Sequence, residues 1–271
     1  MLRDGGTTMA MTRRFLLVLG AGLLAMLAVR CGGKDEFGTI LVLEPQIAAD
    51  SQVDLDDVMQ QTTSIIERRA EAFGIGKGVK VERQDPNLLV VRLPGIEPSE
   101  AVNEIGRTGL LEFRELVTDG KGNVAVNRNG QVVLVQDFSY EEAVWIPSRA
   151  TGSDGQEKDL TSRYLTDASL ISDAAGLPIV DFRLDSEGAH LLEQVSTRLI
   201  GHPMAFFLDG EPIREKDGYI ESPVVKSPIQ DEAQLVGLSP EDAAYLANIL
   251  KSGTFPVPFR VVGQSEFGHQ P

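Results

Sequence analysis

Hydrophobic positions fall in short alternating runs separated by stretches where they recur at helical spacing. Thr39 to Glu44 is a β-branched, apolar run that predicts a strand. From Asp54 to Phe73 the apolar positions Leu55, Val58, Met59, Ile65, Ile66, Ala70 and Phe73 recur largely at three- and four-residue steps, with Gly74 placed to cap the helix they predict. Val79 and Val81 alternate with Lys80 and Glu82. The turn Asp85-Pro86-Asn87 then leads into Leu88 to Leu93, which predicts a hairpin. A short helix over Ser99 to Ile105 and a strand over Leu110 to Val117 follow. The order β-α-β-β-α-β fits two helices on one face of an antiparallel sheet, a ferredoxin-like unit.

The stretch 118–176 differs in kind. Asn129-Gly130 separates two apolar runs, the strongest short-range hairpin signal a sequence carries. The run from Ala150 to Lys158 is Gly-, Ser- and Asp-rich and predicts a flexible loop, with order resuming near Tyr164. Ile179 to Asp185 alternates as a strand with one buried face. Asp185 or Ser186 caps a helix carrying Ala189, Leu192, Val195 and Leu199, which Gly201 ends. Met204, Phe206 and Leu208 form another alternating strand, turned by Asp209-Gly210. Ser239, Pro240 and Asp242 open a further helix that ends at Gly253. Phe255 to Val262 predicts a closing strand at a sheet edge, because it contains Pro256 and Pro258.

The N-terminal residues read differently again. Phe15 to Val29 carries no charge and lies between Arg13-Arg14 and Arg30. It is shorter than the roughly 20 residues of a comfortable membrane span and long for a signal-peptide core, so both an anchor and a cleaved export signal remain open. Arg13-Arg14 fits an ordinary basic lead or a twin-arginine signal. Either way the basic flank predicts that the residues before the apolar run stay inside and the following residues are extracytoplasmic. Cys31 follows the apolar run and precedes Gly32-Gly33, the place of the acylated cysteine in a bacterial lipoprotein; Arg30 fits that pattern poorly, and an unmodified Cys31 is the alternative.

Composition narrows the chemistry. The 271 residues hold 40 acidic and 25 basic side chains, a net charge of -15, which opposes binding to a phosphate backbone, so no nucleic-acid partner is expected. A single Cys excludes an internal disulfide framework, and three His residues, His190, His202 and His269, leave little for a metal or catalytic centre. His190 and His202 read as surface or capping residues. Gly74-Ile-Gly-Lys-Gly78 lacks the spacing of a phosphate loop. Asp54, Asp56 and Asp57 could suggest a cation site, but acids in a first helical turn complement the dipole unaided. Of Phe206 and Phe207 at least one faces the core. No catalytic, cofactor-binding or metal-binding residue is therefore assigned, no cofactor is expected, and the chain does not read as an enzyme; Cys31 is the only candidate modification site.

Three stretches, taken in order, resemble one family. Asp57-Val-Met-Gln-Gln-Thr-Thr-Ser-Ile-Ile-Glu-Arg-Arg69 with Phe73-Gly-Ile75 is similar to the first extracytoplasmic helix of SecD, an accessory subunit of the bacterial preprotein translocase. Leu89 to Gly95 and Ile105 to Arg114 resemble that family's next strand, helix and strand. Val180 to Ala189, Ile200 to Met204, Phe207 to Gly210 and Glu241 to Pro258 resemble its C-terminal half. The resemblance implies an α+β fold: a ferredoxin-like base subdomain over 37–117, a head subdomain over 118–253 inserted in it, and a last strand over 254–271 returning to the base, all preceded by the signal or anchor segment 1–36. It implies an extracytoplasmic domain held at the plasma membrane, with translocated preprotein and Sec translocon subunits as partners. The family continues into further membrane helices, whereas the sequence ends at Pro271, so the expectation is non-covalent binding without an autonomous proton-driven motor. An extracytoplasmic ligand sensor or solute-binding lipoprotein is the alternative, since fold does not fix function. A hydrolase lacks a recognisable nucleophile and base.

Overall fold

Alternation along Gly38–Pro45 places Leu41 and Leu43 on one face of the first strand, where both are fully buried. The computed structural model describes residues 37–48, 51–75 and 77–268. The chain divides into two units, Met1–Lys34 and Asp35–Pro271, and the described residues belong to the second. In chain order the elements are β1 (Gly38–Pro45), α1 (Leu55–Ala72), β2 (Lys80–Gln84), β3 (Leu88–Pro94), α2 (Pro98–Glu104), β4 (Leu111–Leu116), β5 (Val124–Arg128), β6 (Gln131–Val135), β7 (Trp145–Pro147), β8 (Arg149–Thr151), β9 (Glu157–Asp159), β10 (Leu165–Ser172), β11 (Pro178–Leu184), α3 (Ser186–Arg198), β12 (Met204–Leu208), β13 (Glu211–Pro212), β14 (Glu232–Leu235), α4 (Pro240–Ser252) and β15 (Phe259–Phe267). The segment Phe15 to Val29, Cys31 and His269 lie outside the described residues. Among the described residues no helix is long and apolar enough to cross a membrane.

A first core forms under an antiparallel sheet of order β15-β1-β3-β2. Asp54 caps α1 by accepting the Asp56 N–H at 2.8 Å, and the apolar stripe of the helix, with Met59, Ile65 and Ile66, packs on Leu41, Leu89, Val91 and Leu93. Ala101 of α2 and Ile105 just beyond it complete this layer. Two sequence expectations change here. The strand Leu110 to Val117 does not close this sheet; β15 takes the place beside β1. The apolar face of β4 explains the change: Leu111 and Phe113 are fully buried in a second core instead. The closing strand also starts later than predicted, at Phe259, because Pro256 and Pro258 fall in the approach to it, although its place at the sheet edge holds.

The second core gathers a sheet of order β13-β12-β4-β7, a sheet of order β10-β11-β14, and helices α3 and α4. Phe113 stands edge-on to Phe182 and Phe206, at ring separations of 5.9 and 5.3 Å. Ser239 and Asp242 cap α4 as expected, the Asp242 N–H donating to Ser239 Oγ at 3.1 Å. The Gly-rich run 150–158 is not an open loop. It folds as the β8–β9 hairpin, and the Glu187 carboxylate, at the start of α3, draws in the Ser153 N–H at 3.1 Å and Lys158 Nζ at 2.8 Å. β10, unforeseen from its polar sequence, is held by pairing with β11 that is broken only by a bulge at Thr166.

The chain crosses between the two cores twice, and the crossings lie side by side: the Phe255 N–H donates to Thr108 O at 3.0 Å. Arg69, from the middle of the last two turns of α1, is fully buried between them. Its guanidinium donates to the carbonyls of Ile105 (3.2 Å), Arg107, Thr108 (2.9 Å) and Gly253 (3.0 Å) and stacks over Phe255, 4.3 Å from the ring centroid. Gly109 turns at φ +75° directly against this group, and a Cβ there would collide with it. Burial lowers the Arg69 pKa to about 10, so the cation persists at neutral pH. Replacing Arg69 with Met strands several buried carbonyls. We expect a loss of about 3 kcal/mol or more in urea unfolding, with Arg69→Lys recovering less than half of it.

Glu221 supplies a pH-dependent contribution. The residue is 3% exposed, its N–H donates to Ile213 O at 2.8 Å, and its carboxyl faces Glu215 where Gly237 backs against both. Burial first, and the Glu215 charge second, raise its pKa from the usual 4.5 to about 7. The folded state then binds the proton more tightly than the unfolded chain. The stabilisation is complete below the unfolded pKa and is lost as pH rises from about 4.5 to about 7. Thermal melts should show Glu221→Gln gaining on the wild type at pH 8 and not at pH 5; an equal difference at both values would refute the assignment.

Candidate functional site

The candidate residues scatter. Asp54 and Asp56 serve the α1 cap, and Asp56 also pairs with Arg83 at 2.7 Å, so these acids are occupied in structure. Gly74 ends α1 at φ +75°, and Gly74, Ile75 and Lys77 border a shallow cavity of about 700 Å³ walled by Glu71, Glu100 and Glu104. The Glu104 pKa is raised by burial and by Glu100, an environment that disfavours a phosphate. Gly76 lies outside the described residues. His202 closes the turn after α3, its carbonyl accepting the Val225 N–H at 3.0 Å. Of the two described histidines, His190 lines a substantial groove.

That groove, about 820 Å³, runs between α3 and the strands β7 and β8. Helix residues His190, Glu193, Gln194 and Thr197 form one wall, and Ile146, Pro147 and Ala150 give it an apolar floor. Both walls are braced. Arg198 donates to Glu115 Oε1 at 2.6 Å and to Arg149 O at 2.9 Å, while Gln194 Nε2 donates to Thr151 O at 2.8 Å. A nucleophile paired with a base is not among its lining side chains. An open trough with an apolar floor and polar walls can hold an extended chain or a small polar ligand without covalent chemistry.

Phe206 and Phe207 divide between two faces. Phe206 joins the second core, and Phe207 turns to the opposite side, where it meets Trp145 at 6.4 Å and carries the Arg114 guanidinium 4.3 Å above its ring. Trp145 continues the series to Tyr140 (5.6 Å) and Tyr140 to Phe138 (5.7 Å). Asp209 does more than turn the chain at φ +53°. Its carboxylate accepts the N–H groups of Gly109 (3.1 Å) and Leu110 (2.8 Å) and pairs with Arg107 at 3.2 Å. The turn after β12 is thereby tied to the first crossing. Sequence reasoning missed both this tie and Arg69; the signal for Arg69 was its place on the buried stripe, three and four residues after Ile66 and Ile65.

Comparison with known proteins agrees with this layout. Residues 59–118 match the family model for the N-terminal part of the P1 domain of protein translocase subunit SecDF, and residues 152–257 match the model for the SecDF P1 head subdomain. Together they take in more than half of the chain. The SecD of Dehalococcoides mccartyi is 30% identical over 249 residues, spanning 90% of this chain and 50% of that protein. The SecDF of Thermus thermophilus is 29% identical over 272 residues, spanning 91% of this chain and 34% of that protein. The chain thus spans about half or less of the length of these curated relatives. A solved structure of SecDF, described as a membrane component that enhances protein export, matches with a TM-score of 0.56 at 25% identity, covering 83% of this chain and 98% of that one. SecDF in its super-membrane-facing form matches with a TM-score of 0.58 at 26% identity, covering 86% of this chain and 30% of that one. Two P1 matches in the right order, relatives aligned over most of the chain and the shared α+β architecture make this chain a member of the SecD family of protein translocase subunits, carrying its P1 region.

Proposed function

We infer that this chain is an extracytoplasmic binding unit for protein export, which holds segments of unfolded, exported polypeptide non-covalently beside the Sec translocon. On this reading 37–109 and 254–268 form a ferredoxin-like base, in which β15 stands as the last strand of the β-α-β-β-α-β order, and 110–253 form the inserted head. The N-terminal segment 1–36 tethers the unit to the plasma membrane, either as a retained anchor or through a lipid on Cys31. The single observation that carries the reading is the open groove of about 820 Å³, apolar at its floor and braced at both walls, whose α3 wall falls within the P1 head match. Binding through shape and apolar contact needs no cofactor and no reactive residue.

The test is fluorescence anisotropy on the full chain with reduced, carbamidomethylated ribonuclease A, a basic and permanently unfolded polypeptide. We expect saturable binding in the micromolar range, weakened by salt, and none to native ribonuclease A. Equal binding of both forms, or of neither, would overturn the proposal. Thr197→Trp, which places an indole in the groove from an exposed helical position, should weaken binding about fivefold without lowering the melting temperature.

A further inference from the structure

The stretch 119–151 falls between the two family matches and holds the most exposed apolar strand of the described residues. Its core is the β5–β6 hairpin, turned by Asn129 and Gly130 at φ +56° and +79°. β5 is a buried strand: Val124, Ala125 and Val126 are all inside. β6 is the reverse, with Val132 65% and Leu134 54% exposed on one face and Val133 38% exposed on the other.

Hydrogen bonding fixes which way the backbone of β6 points. On β5, the Asn127 N–H donates to Glu142 O, the Ala125 N–H donates to Val117 O, and Ala125 O accepts the Val144 N–H, each at 2.8 Å. Residues 125 and 127 therefore turn away from β6, and 124, 126 and 128 turn toward it. Their register partners are Val135, Val133 and Gln131. Val132 and Leu134 consequently aim their N–H and C=O groups outward, where they have no backbone partner among the described residues. Natural edge strands are blunted by a Lys, a Pro or a bulge. Gln131 to Gln136 contains no charge and no proline, and the β5–β6 register runs without a shift.

Charge selects among occupants. Residues 118–253 hold 22 acidic and 11 basic side chains, which accounts for -11 of the chain's -15. A second copy would bring the same excess to the interface. A segment with basic flanks would be drawn to it.

We propose that the outer edge of β6 captures an extended, apolar polypeptide segment with basic flanks by β-strand addition, with the outward N–H and C=O groups of Val132 and Leu134 as its hydrogen-bonding partners. The pairing supplies affinity that is blind to side-chain sequence, and Val132 and Leu134 supply apolar contact on the face they share. This inference rests on the polypeptide-binding reading above and adds a location and a mode to it.

The test uses the full chain and a labelled ten-residue probe of alternating valine and threonine with two lysines at each end. Leu134→Pro removes the outward N–H without touching a β5–β6 hydrogen bond, and proline is tolerated at such an edge position. We expect the wild type to bind the probe with salt-sensitive affinity and Leu134→Pro to bind it about tenfold more weakly, at an unchanged melting temperature. Val132→Thr with Leu134→Thr, which keeps every backbone group, should lose less. If Leu134→Pro binds the probe as well as the wild type, strand addition at β6 is wrong. If the wild type ignores the probe yet binds unfolded ribonuclease A, the inference fails and the polypeptide-binding reading stands; if it binds neither, both fall. Sedimentation that shows a dimer lost in Leu134→Pro would assign the edge to a second copy and overturn the proposed occupant.

Discussion

A guanidinium buried between two crossing segments ties the two cores together. Irregular segments that leave one core and enter another cannot satisfy their carbonyls within a regular ladder, and a buried unsatisfied carbonyl costs about 1–3 kcal/mol. Arg69 gathers four such carbonyls, from both the outgoing and the returning segment, and lays its flat face on Phe255. Lysine could not do this, because its donors radiate from a single point. Asp209 answers from the other side of the junction by holding the N–H groups of Gly109 and Leu110. The donors of one group and the acceptors of the other fix the same short stretch of backbone. Thr254 adds a third tie, donating to Gly109 O at 2.9 Å.

Much of this architecture is legible in the chain where local signals and packing agree. The stripe of α1, the caps of α3 and α4 and the Asn129-Gly130 turn all read correctly because each encodes its own geometry over a few residues. Partner choice is another matter. The alternation of Leu111 and Phe113 predicts a strand but does not say which sheet receives it, and the ring contacts with Phe182 and Phe206 decide that from far along the sequence. The run 150–158 reads as a loop because its residues favour turns, yet Glu187, some thirty positions away, draws it into a hairpin. β10 is obscure for the same reason, being polar along much of its exposed length and ordered by β11.

The functional surfaces were harder to read than the fold. Arg69 stands in the run Glu67-Arg68-Arg69, which reads as a solvated helical face unless its phase against Ile65 and Ile66 is counted. Asp209 reads as a turn residue, and it is one; its second role depends on Arg107, which is remote in sequence. The groove beside α3 joins residues from three separate segments, β4, the stretch 146–157 and α3, and none of them announces it. Exposed apolar strands also resemble buried ones in sequence. Only the structure distinguishes β5, inside, from β6, outside, although both are valine-rich.

An unprotected edge such as β6 is a hazard, since it templates pairing with any copy of itself. Side-chain charge on the strand would remove the hazard but would also repel or misalign a guest. The chain instead carries its charge elsewhere: the acidic excess of 118–253 lies outside this uncharged strand. At moderate ionic strength the screening length is about 8–10 Å, so that excess acts between two approaching molecules more than along the strand itself. Two like-charged copies are held apart, while a basic, extended guest is attracted to the same edge. The arrangement separates self-association from guest binding by long-range electrostatics and leaves the short-range chemistry of the edge, hydrogen bonds and aliphatic contact, free to accept sequences that differ from one another.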